Sequence, residues 1–138
     1  MNRTRTVLAL AGLCTLPLVS SCVVAAVAGA TVLVTDELRE NASSVILPIS
    51  PELAWAGTKA SVSRQTGALL HEDEAHWTIE TTMGTNLEQG TVVVAVEEFD
   101  VGQTRILVNA KKFAVHNQER SDQILRQIEA DLAQFTRP

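Results

Sequence analysis

The chain has 138 residues, of which 46% are hydrophobic, 4% aromatic and 20% charged, and its formal charge is −5. That length excludes two ordinary domains, and the composition excludes wholesale disorder, a collagen-like chain and a long coiled coil. The charge is unevenly placed, because residues 1–34 carry only Arg3 and Arg5 while all sixteen acids follow.

Met1 to Thr6 is a short basic stretch, residues 7–19 are mostly apolar, and Ser20-Ser21-Cys22 follows. This order is that of a secretory signal, and its apolar part is shorter than the roughly 20 residues that span a bilayer. Val19-Ser20-Ser21-Cys22 resembles the bacterial lipobox, with Val19 standing where Leu is commoner. In that motif the thiol takes diacylglyceryl as a thioether, and the small residues admit a peptidase to the bond before it. Residues 1–21 therefore read as a lipoprotein signal peptide and Cys22 as the lipid attachment site. Two alternatives stay open: Cys22 as an ordinary thiol, or residues 7–34 as one uncleaved anchor kinked at Pro17. With Cys14 in the removed signal and Cys22 acylated, the domain keeps no thiol for a disulfide or a metal site. The 117 residues from Cys22 onward hold nine bases against sixteen acids, a formal charge of −7 that disfavours nucleic acid and anionic lipid as non-specific partners.

Residues 22–42 read as anchor, apolar juxtamembrane stretch and polar connector. Val23 to Val34 carries no charge, so it suits membrane contact, while Ala25/Gly29 and Ala26/Ala30 place small residues one helical turn apart, as in self-association. Residues 43–138 form the candidate domain. Ser44 to Ile49 reads as a strand, and Pro48, which cannot donate to a ladder, puts it at an edge or ends it early. Ser50-Pro51 supplies a helix cap and first-turn proline, and the helix runs to about Thr66. Its apolar positions are Leu53, Ala56 and Ala60, with Trp55 and Val62 at the margin, and Gly67 fits the position just past its end.

From Ala68 the period changes to two. Ala68–Leu70 begins a meander, Trp77, Ile79 and Thr81 alternate with polar neighbours, and Val92 to Val96 and Ile106 to Ala110 repeat the pattern. Turn residues separate the runs at 83–86, 88–90 and 100–103. Asn117 to Phe135 carries Ile124, Leu125, Ile128, Leu132 and Phe135 on one helical stripe. The expected fold is α+β: a small two-layer sandwich of about four antiparallel strands with two helices on one face.

This order of parts resembles the small uncharacterised bacterial lipoproteins grouped as a domain of unknown function. The resemblance runs through the lipobox, the Gly/Ala-rich apolar stretch, Ser50-Pro51-Glu52-Leu53-Ala54-Trp55-Ala56-Gly57, the hairpin-rich sheet and the closing helix. It implies an envelope lipoprotein and transfers no active site. Glu72-Asp73-Glu74 departs from it, since a basic residue is commoner there.

His71-Glu72-Asp73-Glu74-Ala75-His76 is the one cluster with metal-ligand residue types, and His71 and His76 could face each other across a hairpin. A solvated acidic turn is the bland reading of the same residues, and no metal is assigned. His116 reads as a surface residue before the last helix. No Gly-x-Ser-x-Gly elbow or phosphate-binding glycine loop occurs, Glu97 and Glu98 point to opposite faces of a strand, and Trp55 and Trp77 read as core. Lys111-Lys112 reads as a charged sheet edge. Neither a catalytic residue nor a cofactor is expected. The leading reading is a non-enzymatic interaction or assembly module, lipid-anchored in the cell envelope, with an envelope protein or a second copy as partner. Val23 rather than Asp after Cys22 suits an outer membrane facing the periplasm if the cell is diderm. The alternative is a small-ligand carrier, which requires a cavity along the Trp77 and Val94 faces.

Overall fold

The computed structural model describes residues 38–85 and 87–136. In chain order the elements are β1 (Ser43–Leu47), α1 (Pro51–Gln65), β2 (Leu69–Asp73), β3 (Thr78–Thr82), β4 (Thr91–Asp100), β5 (Gln103–Lys112), β6 (Val115–His116) and α2 (Gln118–Thr136). A helical turn at 38–41 precedes β1, and a 3-10 turn, Leu87–Gln89, precedes β4. The fold is α+β, with all strand pairs antiparallel in the order β1-β5-β4-β3-β2, and β6 beside β5. The described residues form six strands where about four are expected. Strand β2 starts near the expected Ala68–Leu70 and runs on through the charged His-Glu-Asp, which carries no alternation, and β6 is too short to show a period.

Strand β1 stops before Pro48 and lies at the edge of the sheet, as the missing amide donor requires. Helix α1 starts at Pro51, with the Ser50 hydroxyl accepting from the Leu53 amide. It turns a different face inward from the one expected: Ala54, Trp55, Thr58, Ser61 and Val62 are buried, while Leu53, Ala56 and Ala60 are exposed. The buried set has helical period, but two of its five members are hydroxyl residues, which a count of apolar positions passes over. Gly67 keeps a φ outside the left-handed region, so the αL end expected there is absent. Its need for glycine is steric, since a Cβ would stand 1.7 Å from the Gly84 carbonyl oxygen. In α2, Ile124, Leu125, Ile128 and Leu132 are buried as expected, but Phe135 lies 46% exposed beyond the end of the sheet-facing stripe.

Both long helices cover one face of the sheet. Val92, Val94 and Val96 of β4 and Ile106, Val108 and Ala110 of β5 meet Trp55 and Val62 of α1 and the α2 stripe in one apolar cluster. Trp77 packs against this cluster, but from the loop before β3 and with φ of 48°, not from within a strand. The helix-to-helix seam is narrow at Gly57, where a Cβ would meet the Leu132 side chain at 2.3 Å. Leu38 is 3% exposed, and Arg39 pairs with Glu97 at 3.3 Å on the other face of the sheet. The folded unit thus reaches back at least to Leu38, five residues before the expected start, and this end of the connector is structured.

The two turns flanking β5 are unlike each other. Between β4 and β5, Gly102 takes the left-handed position with φ of 71°. Between β5 and β6, Lys112 pairs with Val115, and the two loop residues are Phe113 and Ala114 with φ of 51° and 62°. Asn-Gly is the favoured occupant of such a turn, and each side chain held there costs about 1 kcal/mol or more.

Candidate functional site

Cys22 and the preceding Val19, Ser20 and Ser21 lie outside the described residues. Among the described residues no helix is long and apolar enough to cross a membrane.

The acidic hairpin is organised around α1. Glu72 pairs across the ladder with Ile79, on the face covered by the helices, so its carboxylate meets Lys59 of α1, 3.1 Å from Nζ. Lys59 also pairs with Glu74, whose other oxygen accepts from Trp55 Nε1 at 2.6 Å, and the ammonium stands 5.0 Å from the Trp55 ring. Lys59 first and Trp55 next hold the Glu74 carboxyl down at about 2, while Glu74 first and Glu72 next push the Lys59 ammonium above its ordinary value. Asp73 accepts from the Ala75 and His76 amides and lies 2.7 Å from His76 Nδ1. His76 chiefly, and then these amides, lower the Asp73 carboxyl.

His71 and His76 do not face each other. His71 lies opposite Glu80 on the sheet, whereas His76 sits in the loop with Asp73. An extended β2 sends neighbouring residues to opposite faces, which parts His71 from Glu72 as well. Among the described residues no group of three or more His, Cys, Asp or Glu is placed to hold a metal ion.

A groove of about 370 Å³ opens between α1 and the β2–β3 hairpin, where Ile79 and Thr81 form the floor and Lys59, Ala60, Leu69 and Glu72 the walls. The Thr81 hydroxyl is buried there without a hydrogen-bond partner. This is not the cavity expected along Trp77 and Val94. Val94 has no exposed surface, so no void wide enough for water touches it. A second groove, of about 350 Å³, lies between the helices and is lined by Arg64, Gln65, Arg120, Gln123, Gln127 and Asp131. Asp131 accepts there from Ser61 at 2.6 Å, from Arg64 at 2.7 Å and from Gln127 at 3.0 Å, and Ser61 contributes most to lowering its carboxyl.

Sequence reading missed one polar chain because its members are scattered over three strands and a helix. Ser43 donates to Asp122 at 2.5 Å, and Gln118 Nε2 donates to both at 2.8 Å. The oxygen of the same amide then accepts from His116 Nε2, while His116 Nδ1 meets Asn109 at 2.8 Å. Ser43 leads the causes that lower the Asp122 carboxyl. Serine, histidine and aspartate are all present, but Ser43 spends its proton on Asp122 and reaches His116 only through Gln118. A nucleophile-base pair needs direct contact, so this arrangement ties β1 to α2 and β6.

No protein-family model matches the chain, and no curated protein matches it either.

Proposed function

We propose that this chain is a lipid-anchored lipoprotein of the bacterial cell envelope, attached through Cys22, whose α+β domain is a non-enzymatic interaction or assembly module. The observation that carries the reading is Val19-Ser20-Ser21-Cys22, set behind a basic start and a thirteen-residue apolar stretch. Its likeness to small uncharacterised lipoproteins supports the same conclusion. So does the surface of the domain, which leaves Val101, Phe113 and Val115 at 92%, 74% and 69% exposure on the turns flanking β5. Apolar side chains at such exposure suit contact with other molecules. Anchoring raises the local concentration of such a module near its partners, an envelope protein or a second copy. The residue after the anchor cysteine is Val23, which suits the outer membrane of a diderm cell, facing the periplasm.

Intact-mass analysis of membranes from cells expressing the wild type and Cys22→Ala tests the anchor. A diacylated chain beginning at residue 22, absent from the variant, is the expected result. An uncleaved, unlipidated chain sinks it. Crosslinking of the wild type in place then tests the module, with a specific crosslinked protein expected.

A further inference from the structure

We propose that the β5–β6 turn is a membrane-contact tip that seats Phe113 and Val115 among anionic lipid headgroups. Three independent observations meet there. Phe113 and Val115 are among the most exposed large apolar residues described. Both residues of the turn, Phe113 and Ala114, hold left-handed backbone that Asn-Gly would adopt at less cost, so the sequence retains an aromatic side chain at the apex against its conformational preference. The chain leading into the tip is also basic: Lys111 and Lys112 precede the turn, Lys112 Nζ lies 5.8 Å from the Phe113 ring, and the nearest acid along the chain is Glu119 in α2.

A lipid interface satisfies all three. The ring and the valine leave water, the lysine stem lies along them, and its ammonium reaches the phosphates. The charge of −7 on the chain from Cys22 argues against broad attraction to an anionic surface, but screening confines each charge to about a Debye length, so the local sign decides the orientation of the tip. The turn at the other end of β5 provides the contrast. Val101 is more exposed still, but it stands beside Asp100 and three residues after Glu98, which an anionic surface repels, while Glu97 is already paired with Arg39 and Arg105. One end of the sheet is thereby fitted to face the bilayer and the other to face away.

The chain contains three phenylalanines, at 99, 113 and 135. The full chain labelled with 4-fluorophenylalanine is placed in lipid nanodiscs of phosphatidylcholine, with and without phosphatidylglycerol, that contain a lipid spin-labelled near the headgroup. The fluorine resonance of Phe113, assigned by its loss in a Phe113→Asn/Ala114→Gly variant, is expected to lose most of its intensity in the anionic discs while Phe99 and Phe135 keep theirs. Lys112→Glu is expected to restore it. The Asn-Gly variant is expected to unfold at a higher temperature than the wild type, which separates contact from folding. Equal intensities for Phe113 and Phe99 in both compositions overturn the proposal. So does protection of Phe113 from water without broadening by the lipid label, which assigns the tip to a protein partner. Lipidation at Cys22 is scored separately by mass, so failure of the anchor and failure of the tip are distinct results.

Discussion

Strands β4 and β5 and the hairpin β2–β3 belong to one sheet, but they are held to the helices by different chemistry. Under α2 the contact is apolar and sealed: Val94, Ile106, Val108, Ile124 and Ile128 have no exposed surface. At the hairpin, Leu69 and Leu70 are 55% and 43% exposed, and the hold on α1 comes from Glu72 and Glu74 around Lys59 and Trp55. Apolar contact is indifferent to acid, whereas paired carboxylates are lost as they protonate. The hairpin's hold on α1 should therefore weaken in acid while the apolar contact under α2 does not, and on that side only the polar margin at Asp122 and Asp131, whose carboxyls are also lowered, should respond.

The largest expected effect is on the sealed side. Ile128→Ala should lower the unfolding free energy by about 3–4 kcal/mol in denaturant titration, since it removes buried methylenes and leaves a cavity. Leu69→Ala, on the open hairpin, should cost well under that, and equal losses would erase the distinction. Gly67→Ala comes next, at about 2 kcal/mol by thermal unfolding, because the added methyl meets the Gly84 carbonyl, which is backbone and cannot swing aside. Thr81→Val should instead gain about 1 kcal/mol, because the hydroxyl it removes is buried without a partner. No gain would mean that the groove already hydrates it.

The smallest effect at neutral pH is the most specific to the hairpin. The Glu74 carboxyl is held at about 2, below its ordinary 4.5, so the folded chain binds this proton less readily than the unfolded one. Its stabilising contribution is present above pH 4.5 and is lost as pH falls toward 2. Glu74→Gln should make the stability profile less steep across that window, the remaining slope coming from Asp73, Asp122 and Asp131, whose carboxyls are also lowered, and leave the profile above it parallel to wild type. An unchanged acid limb would assign the hairpin's hold to packing alone.

Much of the sealed side was legible in the sequence. Val92, Val94 and Val96 and the α2 stripe fall on clean periods, because those elements bury one face against apolar neighbours. The hairpin and α1 were less so. In α1 the inward face includes Thr58 and Ser61, small residues that let the helices approach and that hydropathy counts as polar. In β2 each side chain is at least partly solvated, so no alternation remains to be read. The chain from Ser43 to Asn109 was invisible for another reason, since its residues meet only after the strands have paired. The proposed anchor at Cys22 is the reverse case, since the motif that suggests it lies entirely in local order.

The pairing of β1 with β5 has a consequence for how the chain folds. Every other strand joins a neighbour close to it in sequence, but Ser43 lies opposite Val108, and closing that loop needs nearly the whole domain to be in place. Of the described strands, the one that leaves the ribosome first is thus the last whose partner is complete. Until it does, β5 presents an open edge beside Ile106 and Val108, the point at which two nascent copies could pair with each other instead.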